Sequence, residues 1–478
     1  MILEDGFDTI RKPWKHQLET MLQTEDKPNY ALFHEVGVGK TLSAIMICRR
    51  KMFLAKRPMR VLVLAPPIVL KNWKEEWLKA SKFTSEDIGY TEGSGKQRAT
   101  QFTEDKKVMI TNYESLLMPD VLGAICSWKP EIIVADELHR LKSSSAKRTR
   151  IAIRLSKMAF VRHRIGLTGT PVLNSPMDLF SQFHFLDKGE TFGDNFFVFR
   201  NRYFYDKNAG MPSTKHFPDF RIRPGAIEEI TQKLSSKCSH VKKSNCLDLP
   251  PLVRKKILVN LGSEQKRLYN QMAKDLIAYI DGKAAVAQMA LTKALRLMQI
   301  VSGFVTTEDL DGTTGLHEIS DNPRETALSE LLADLCQSSK VIVWACWKQN
   351  YATIRAICDR LRLPFVELTG ETSAKTRQEA IDRFQSDPSI RVCIGNQGAG
   401  GIGATLTASN VSVYYSRNFS LEHDIQSEGR NYRGGSEVHE SVTRVDLVAE
   451  GTIDERILER LLSKESISAS ILKDLVLG

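Results

Sequence analysis

The stretch Tyr30-Ala-Leu-Phe-His-Glu-Val-Gly-Val-Gly-Lys-Thr41 limits what this chain can fold into more than any other part of it. Ala31 to Phe33 form an apolar run suited to a buried strand, and the run ends in a glycine-rich turn. From Lys40 onward, Leu42, Ile45, Met46 and Phe53 recur at helical spacing on one face. A strand, a tight loop and the first turn of a helix bring the N–H groups of Gly37 and Gly39, with Val38 between them, to the positive end of a helix dipole. That is how a backbone cradles a phosphate. Lys40 would add a full charge beside the β- and γ-phosphates, and Thr41 would offer a hydroxyl to Mg²⁺. The complete phosphate-loop pattern carries a glycine where this chain has His34. Taken alone, the stretch therefore also fits a tight turn entering an ordinary helix.

Its company decides. Apolar runs at 60–65, 107–110, 131–135 and 164–167 read as strands buried on both faces, separated by helical segments such as the one carrying Val69, Trp73 and Trp77. Such alternation implies a parallel sheet covered on both sides, with ligands at the carboxyl ends of the strands. The polar residues cluster there: Asn112-Tyr113 after the second run, Asp136-Glu137 after the third and Thr168-Gly-Thr170 after the fourth. Asp136 is placed to hold Mg²⁺, and Glu137 beside it to orient and deprotonate a water. An Asp-Glu pair after a buried strand is commonplace by itself. Combined with Gly-Val-Gly-Lys-Thr in this order, it points to nucleotide hydrolysis.

The second half repeats the alternation, with strands at 340–344, 364–368, 391–394, 411–414 and 442–448. A first lobe is expected over 1–190 and a second over 326–478. Between them lie an aromatic and basic insertion at 191–249 and a helical region at 250–325. In the insertion Phe192, Phe196, Phe197, Phe199, Tyr203, Phe204 and Tyr205 mix with Arg200, Arg202, Lys207 and Lys215. This suits either a nucleic-acid surface or a small helical subdomain packing its aromatics on the lobe. The 478 residues suffice for two or three domains, and the net charge of +10 favours a polyanionic partner. The eight cysteines show no C-x-x-C pair, and several lie inside apolar runs. They are expected to be reduced, in a cytoplasmic compartment. The N-terminus lacks the order of a signal peptide, and no apolar run approaches membrane-spanning length.

At this point the chain resembles a known family over nearly its whole length. Asp136-Glu-Leu-His139 is similar to the DEAH-type box of superfamily-two helicases, and its context is similar to the Swi/Snf-type ATPases. The other matching stretches are His34 to Thr41, Leu64-Ala-Pro-Pro67 with Asn72-Trp73, Ile110 to Glu114, Leu167-Thr-Gly-Thr-Pro-Val-Leu-Asn174, Gly398 to Gly403 with Leu406-Thr-Ala408, and Gln426-Ser-Glu-Gly-Arg-Asn-Tyr-Arg433.

The resemblance implies two RecA-like lobes in tandem, an α/β fold, and a DNA-dependent ATPase using ATP and Mg²⁺. It implies that Gln17 reads adenine and that Lys40 and Thr41 hold phosphates and metal. Gly401 and Gly403 would complete the nucleotide site, and Arg430 and Arg433 would reach the γ-phosphate. Thr168, Thr170, His139 and Gln426 would couple ATP to the DNA groove. Asn72, Asn112, Tyr113, Lys142 and Thr407 would touch DNA. His139 is expected to be such a coupling hydrogen-bonder rather than a metal ligand, since no second His or Cys is suitably spaced. The departures are Leu138 for the family's alanine, Ser416 for an acid before the last motif, and Gly434-Gly435 for glycine-glutamine after it.

The expected protein is a compact, monomeric motor of viral or bacterial type that tracks duplex DNA, without the flanking reader domains of chromatin remodellers. A strand-separating helicase, an RNA-directed motor and a non-catalytic nucleic-acid scaffold are the other readings. The intact lysine, acid pair and arginines speak against the last.

Overall fold

The computed structural model describes residues 12–210, 218–282, 287–308, 314–370, 372–398 and 404–472. It divides into two units. One contains the residues to Tyr205, Phe220–Asp248 and the chain from Lys464; the other contains Asp206–Asp219 and Leu249–Ser463. Among the described residues no helix is long and apolar enough to cross a membrane.

The first unit is built on a parallel sheet. In chain order its strands are β1 (Asn29–Leu32), β2 (Val61–Leu64), β3 (Ile88–Tyr90), β4 (Val108–Thr111), β5 (Ile132–Asp136) and β6 (His163–Leu167). After a ribbon of β7 (Phe204–Asp206) and β8 (Phe220–Ile222) comes β9 (Cys238–Ser239), and the sheet order is β3-β4-β2-β5-β6-β1-β9. Alternate residues of each strand enter two separate cores. Leu32, Val61, Val63, Val134 and Ile165 pack with Ile45, Trp73 and Trp77 on one face. Ala31, Leu62, Leu64, Ile133 and Ala135 pack with Ile125, Leu155 and Phe183 on the other. A strand with both faces covered has to be apolar throughout, which is why these runs show no polar alternation.

The aromatic segment after residue 190 belongs to this unit. Phe192, Phe199, Tyr203 and Phe204 are buried in the same cluster as Phe180 and Phe183. Cys238 and Ser239 pair with Ala31 and Leu32 as an edge strand that sequence reading had not foreseen. Two residues are too few for a periodic signal.

The second unit carries β10 (Leu252–Val259), an antiparallel pair β11 (Phe304–Glu308) and β12 (Thr314–Glu318), then β13 (Val341–Ala345), β14 (Phe365–Leu368), β15 (Val392–Asn396), β16 (Val411–Tyr414) and β17 (Val442–Ala449). Its parallel sheet has the order β10-β17-β16-β13-β15-β14. The region 250–325, expected to be helical, thus begins with an eight-residue strand. Arg254, Lys255 and Lys256 are exposed at this sheet edge, so the run reads as charged and its strand period is hidden. Helices Ser263–Gly282 and Ala287–Val301 follow as expected.

Candidate functional site

Register brings the polar strand ends of the first unit together. Leu32 and Asp136 both stand opposite Leu167, so β1, β5 and β6 finish level at one edge of the sheet. The amide of Thr168 donates to the Leu32 carbonyl at 3.0 Å, carrying the β6 exit alongside the phosphate loop. Gly169 permits this approach, because a Cβ there would sit 3.2 Å from the His34 carbonyl oxygen.

The loop between β1 and the helix Lys40–Leu54 has left-handed backbone at Gly37 (φ 94°) and Gly39 (φ 76°). Both positions favour glycine for that reason, and a Cβ on Gly39 would also collide with Gln17 Nε2. Lys40 Nζ donates to the carbonyls of His34 (3.0 Å) and Glu35 (3.1 Å), holding the ammonium at the mouth of its own loop. Thr41 is half-buried in the first turn of the helix.

His34 is fully buried and its Nε2 lies 3.0 Å from Ser239 Oγ. Burial, and then the nearby Lys40 charge, holds its pKa well below the ordinary imidazole value. The residue that departs from the glycine pattern is therefore a neutral tie between the loop and the edge strand. Two side chains of the helix Lys15–Gln23 clip the loop from the other direction. His16 Nε2 lies 3.0 Å from the Val38 carbonyl oxygen, and Gln17 Nε2 donates to the Gly39 carbonyl at 3.2 Å. Gln17, expected at the adenine, thus also fixes the loop backbone. His16 was not foreseen as a site residue; its only signal in the sequence is adjacency to Gln17.

At the end of β5 the Asp136 carboxylate is gripped twice. Trp73 Nε1 donates to Oδ2 at 2.8 Å, and the Glu137 amide donates to Oδ1 at 3.0 Å. Burial, and next the negative charge of Glu137, raises the Asp136 pKa to about 6. Glu137 itself has left-handed backbone (φ 51°), unusual for a residue with a side chain. Its Oε2 lies 3.3 Å from His139 Nδ1, which lies 2.8 Å from Thr168 Oγ1 and 3.5 Å from Thr170 Oγ1. The residues expected to couple sites in this unit, His139, Thr168 and Thr170, thus gather with the expected base around one ring nitrogen, His139 Nδ1.

The expected DNA contacts divide. Asn72 is exposed and Lys142 half-exposed. Tyr113 needs correction: its ring is fully buried and its hydroxyl donates to the Asp136 carbonyl at 2.7 Å, so it supports the acid pair rather than facing a groove. Asn112 is mostly buried as well, its Oδ1 capping the Ser115 amide at 2.9 Å. Thr407, in the second unit, is buried and accepts from Gln385 Nε2 at 3.2 Å.

In the second unit the helix Leu421–Glu428 leads into the arginine segment, and Gln426 is buried on it. Arg430 donates through Nε to the Gln426 carbonyl (2.9 Å) and through Nη1 to that of Ala404 (3.3 Å). The Arg433 pKa is lowered, and burial is its one cause. A network absent from the sequence reading anchors this helix: Arg444 on β17 pairs with Asp424 at 2.9 Å, Glu428 at 3.0 Å and Asp446 at 3.1 Å. Gly401 and Gly403 lie outside the described residues.

Comparison with known proteins adds the following. Residues 15–305 match the SNF2-related domain, and residues 324–435 match the helicase conserved C-terminal domain. Protein p41 of Acyrthosiphon pisum secondary endosymbiont phage 1 is 26% identical over 97% of this chain and 98% of its own length. DNA repair and recombination protein RAD54B of Gallus gallus is 26% identical over 92% of this chain, which spans 51% of that protein. A Sulfolobus solfataricus SWI2/SNF2 ATPase core, solved in complex with dsDNA, aligns with a TM-score of 0.45 and 24% identity, covering 100% of this chain and 99% of that one.

Proposed function

The chain belongs to the SNF2-related family, and from that premise we propose that it is a motor that hydrolyses ATP with Mg²⁺ while tracking duplex DNA. Family membership implies ATPase activity; dependence on duplex DNA is the part proposed. The observation that carries the reading is the meeting of Lys40, Asp136 and Glu137 at one sheet edge, with Glu137, Thr168 and Thr170 gathered around His139 Nδ1.

The geometry supports the following roles. Gly37, Val38 and Gly39 present backbone donors to the phosphates, and Lys40 exchanges its two loop carbonyls for phosphate oxygens. Asp136 fits a divalent cation: its carboxylate is oriented by two donors, and burial, followed by the negative charge of Glu137, raises its pKa, a cost that a bound cation would offset. Mg²⁺ held by Asp136 and Thr41 would neutralise charge on the β- and γ-phosphate oxygens. Glu137 takes the proton of the attacking water. Arg433, half-buried five residues beyond the helix Leu421–Glu428, is assigned to the transferring phosphate from its place at the end of the Gln426 to Arg433 stretch. Arg430 shares the assignment and also braces the segment through Gln426 and Ala404. Asn72, Asn112, Lys142 and Thr407 remain proposed DNA contacts, and the protein is proposed to act as a monomer.

The reading is tested by ATPase rates with duplex DNA, single-stranded DNA and RNA side by side. Duplex should stimulate most. Greater stimulation by single strands, with unwinding from a single-stranded tail, would replace this reading with a strand-separating helicase.

A further inference from the structure

Two segments of the first unit share a pattern: an asparagine followed by an aromatic residue that reaches Asp136. In the first, Asn72 is exposed on the helix Leu70–Ala80 while its neighbour Trp73 is 2% exposed and donates to the Asp136 carboxylate. In the second, Asn112 caps the short helix Tyr113–Leu117, and Tyr113 donates to the Asp136 backbone carbonyl at 2.7 Å.

The two aromatics come from opposite sides of the sheet. Trp73 belongs to the core beneath the phosphate-loop helix, and Tyr113 to the core on the other face. They also act on different groups. The indole fixes the side chain expected to hold metal. The phenol fixes the peptide that joins Asp136 to Glu137, where the backbone turns left-handed and the expected base begins. Neither hydrogen bond is needed to fill the core, since apolar rings of similar shape would pack there. A hydroxyl and an indole N–H placed in an apolar layer need partners, and here both partners belong to one catalytic residue.

We propose that Trp73 and Tyr113 are positioning residues, one for each member of the Asp-Glu pair, through which DNA engaging the Asn72 and Asn112 segments sets that pair for hydrolysis. The proposal rests on the DNA-motor reading above. Displacing a segment by a fraction of an ångström at its asparagine moves the adjoining aromatic and, through one hydrogen bond, the acid it holds. Catalysis is steeply sensitive to such shifts. The Asn112 segment has its own brace, since Arg98 Nη1 donates to Ser115 Oγ at 2.7 Å beside the Asn112 cap. The segment therefore moves as a unit.

Trp73→Phe and Tyr113→Phe each delete one donor, the second by removing a single oxygen and keeping the ring. Asn72→Ala changes an exposed residue alone. Three quantities are measured on the full chain: the ratio of duplex-stimulated to unstimulated ATPase, duplex affinity without nucleotide, and affinity for ADP with and without Mg²⁺. Both Phe variants should bind duplex as the parent does yet lose most of the stimulation ratio, by as much as about 10²-fold, the scale of a small misplacement of a catalytic group. Trp73→Phe should also shrink the gain in ADP affinity that Mg²⁺ gives, whereas Tyr113→Phe and Asn72→Ala keep it. Parental stimulation ratios in both Phe variants would overturn the proposal. If the parent's hydrolysis ignores DNA, the motor reading fails first, and the Mg²⁺-dependent ADP affinity of Trp73→Phe still decides for or against its hold on Asp136.

Discussion

A carboxylate that is to hold a divalent cation has to remain an anion where burial and a second carboxylate make that hardest. Asp136, with a pKa raised to about 6 from an ordinary 3.8, binds its proton more tightly in the folded protein than in the unfolded chain. Its contribution to stability is therefore greatest at acid pH, declines as the pH rises through the folded value and stays lost above it. Asp136→Asn removes the charge but turns an amide N–H toward the Trp73 indole or the Glu137 amide, so its expected effect is on the pH profile. The parent's loss of about 1–3 kcal/mol between acid and pH 8 should flatten in the metal-free variant. Mg²⁺ should raise the melting temperature of the parent and not of the variant. Thermal melts across pH decide this, and a variant with the parent's pH profile would show that the pair is not under electrostatic strain. Glu137→Gln keeps shape but removes the base, so ATP should still bind while turnover falls by about 10²–10⁴-fold. These residues were legible because charge and glycine spacing are sequence properties. The roles of Trp73, Tyr113 and His16 were not: Trp73 reads as the apolar face of its helix, Tyr113 as a groove contact and His16 only as the neighbour of Gln17, and the fold alone shows which acid or carbonyl each polar tip meets.

At the scale of elements, the arginine segment depends on how firmly its helix is seated. Arg444 is 3% exposed and faces Asp424, Glu428 and Asp446, with its guanidinium 4.1 Å from the centre of the Tyr414 ring. Burial pushes the Asp446 pKa up, but the Arg417 and Arg444 guanidinium groups outweigh it and hold the carboxyl below its usual range. Its stabilisation is accordingly present at neutral pH and lost as acid protonates the carboxylate. Arg444→Ala leaves three carboxylates without their shared cation and should cost about 3–5 kcal/mol in urea unfolding. Hydrolysis should fall with it, since Arg430 and Arg433 follow directly on the helix Leu421–Glu428. A variant of parental stability would mean that the network is solvated rather than structural. The sequence announced the long buried strands of both units, where runs such as Ile132 to Ala135 admit no other reading. It concealed β10, whose outward Arg254, Lys255 and Lys256 mimic a polar segment, and the Arg444 network, whose members lie up to 22 positions apart in the chain.

For the whole molecule, the relevant facts are a net charge of +10 and a match to the SNF2-related and helicase C-terminal domains that together extend from residue 15 to residue 435. A motor that follows one strand of a duplex must grip phosphates and release them at every step, and it gains nothing from reading bases. Its affinity should therefore be set by released counterions. If six to ten phosphates are contacted, raising salt from about 50 to 200 mM should weaken duplex binding by roughly 10³–10⁵-fold, with little dependence on sequence. The stimulated ATPase should follow the same salt curve while the unstimulated rate does not. Movement along DNA without strand separation has its own signature, displacement of a third strand from a triplex with no unwinding of a blunt duplex. A protein that unwinds a tailed duplex efficiently and leaves the triplex intact would be pulling on single strands. In that case the common motor, with its Lys40, Asp136 and Glu137, would be serving a helicase.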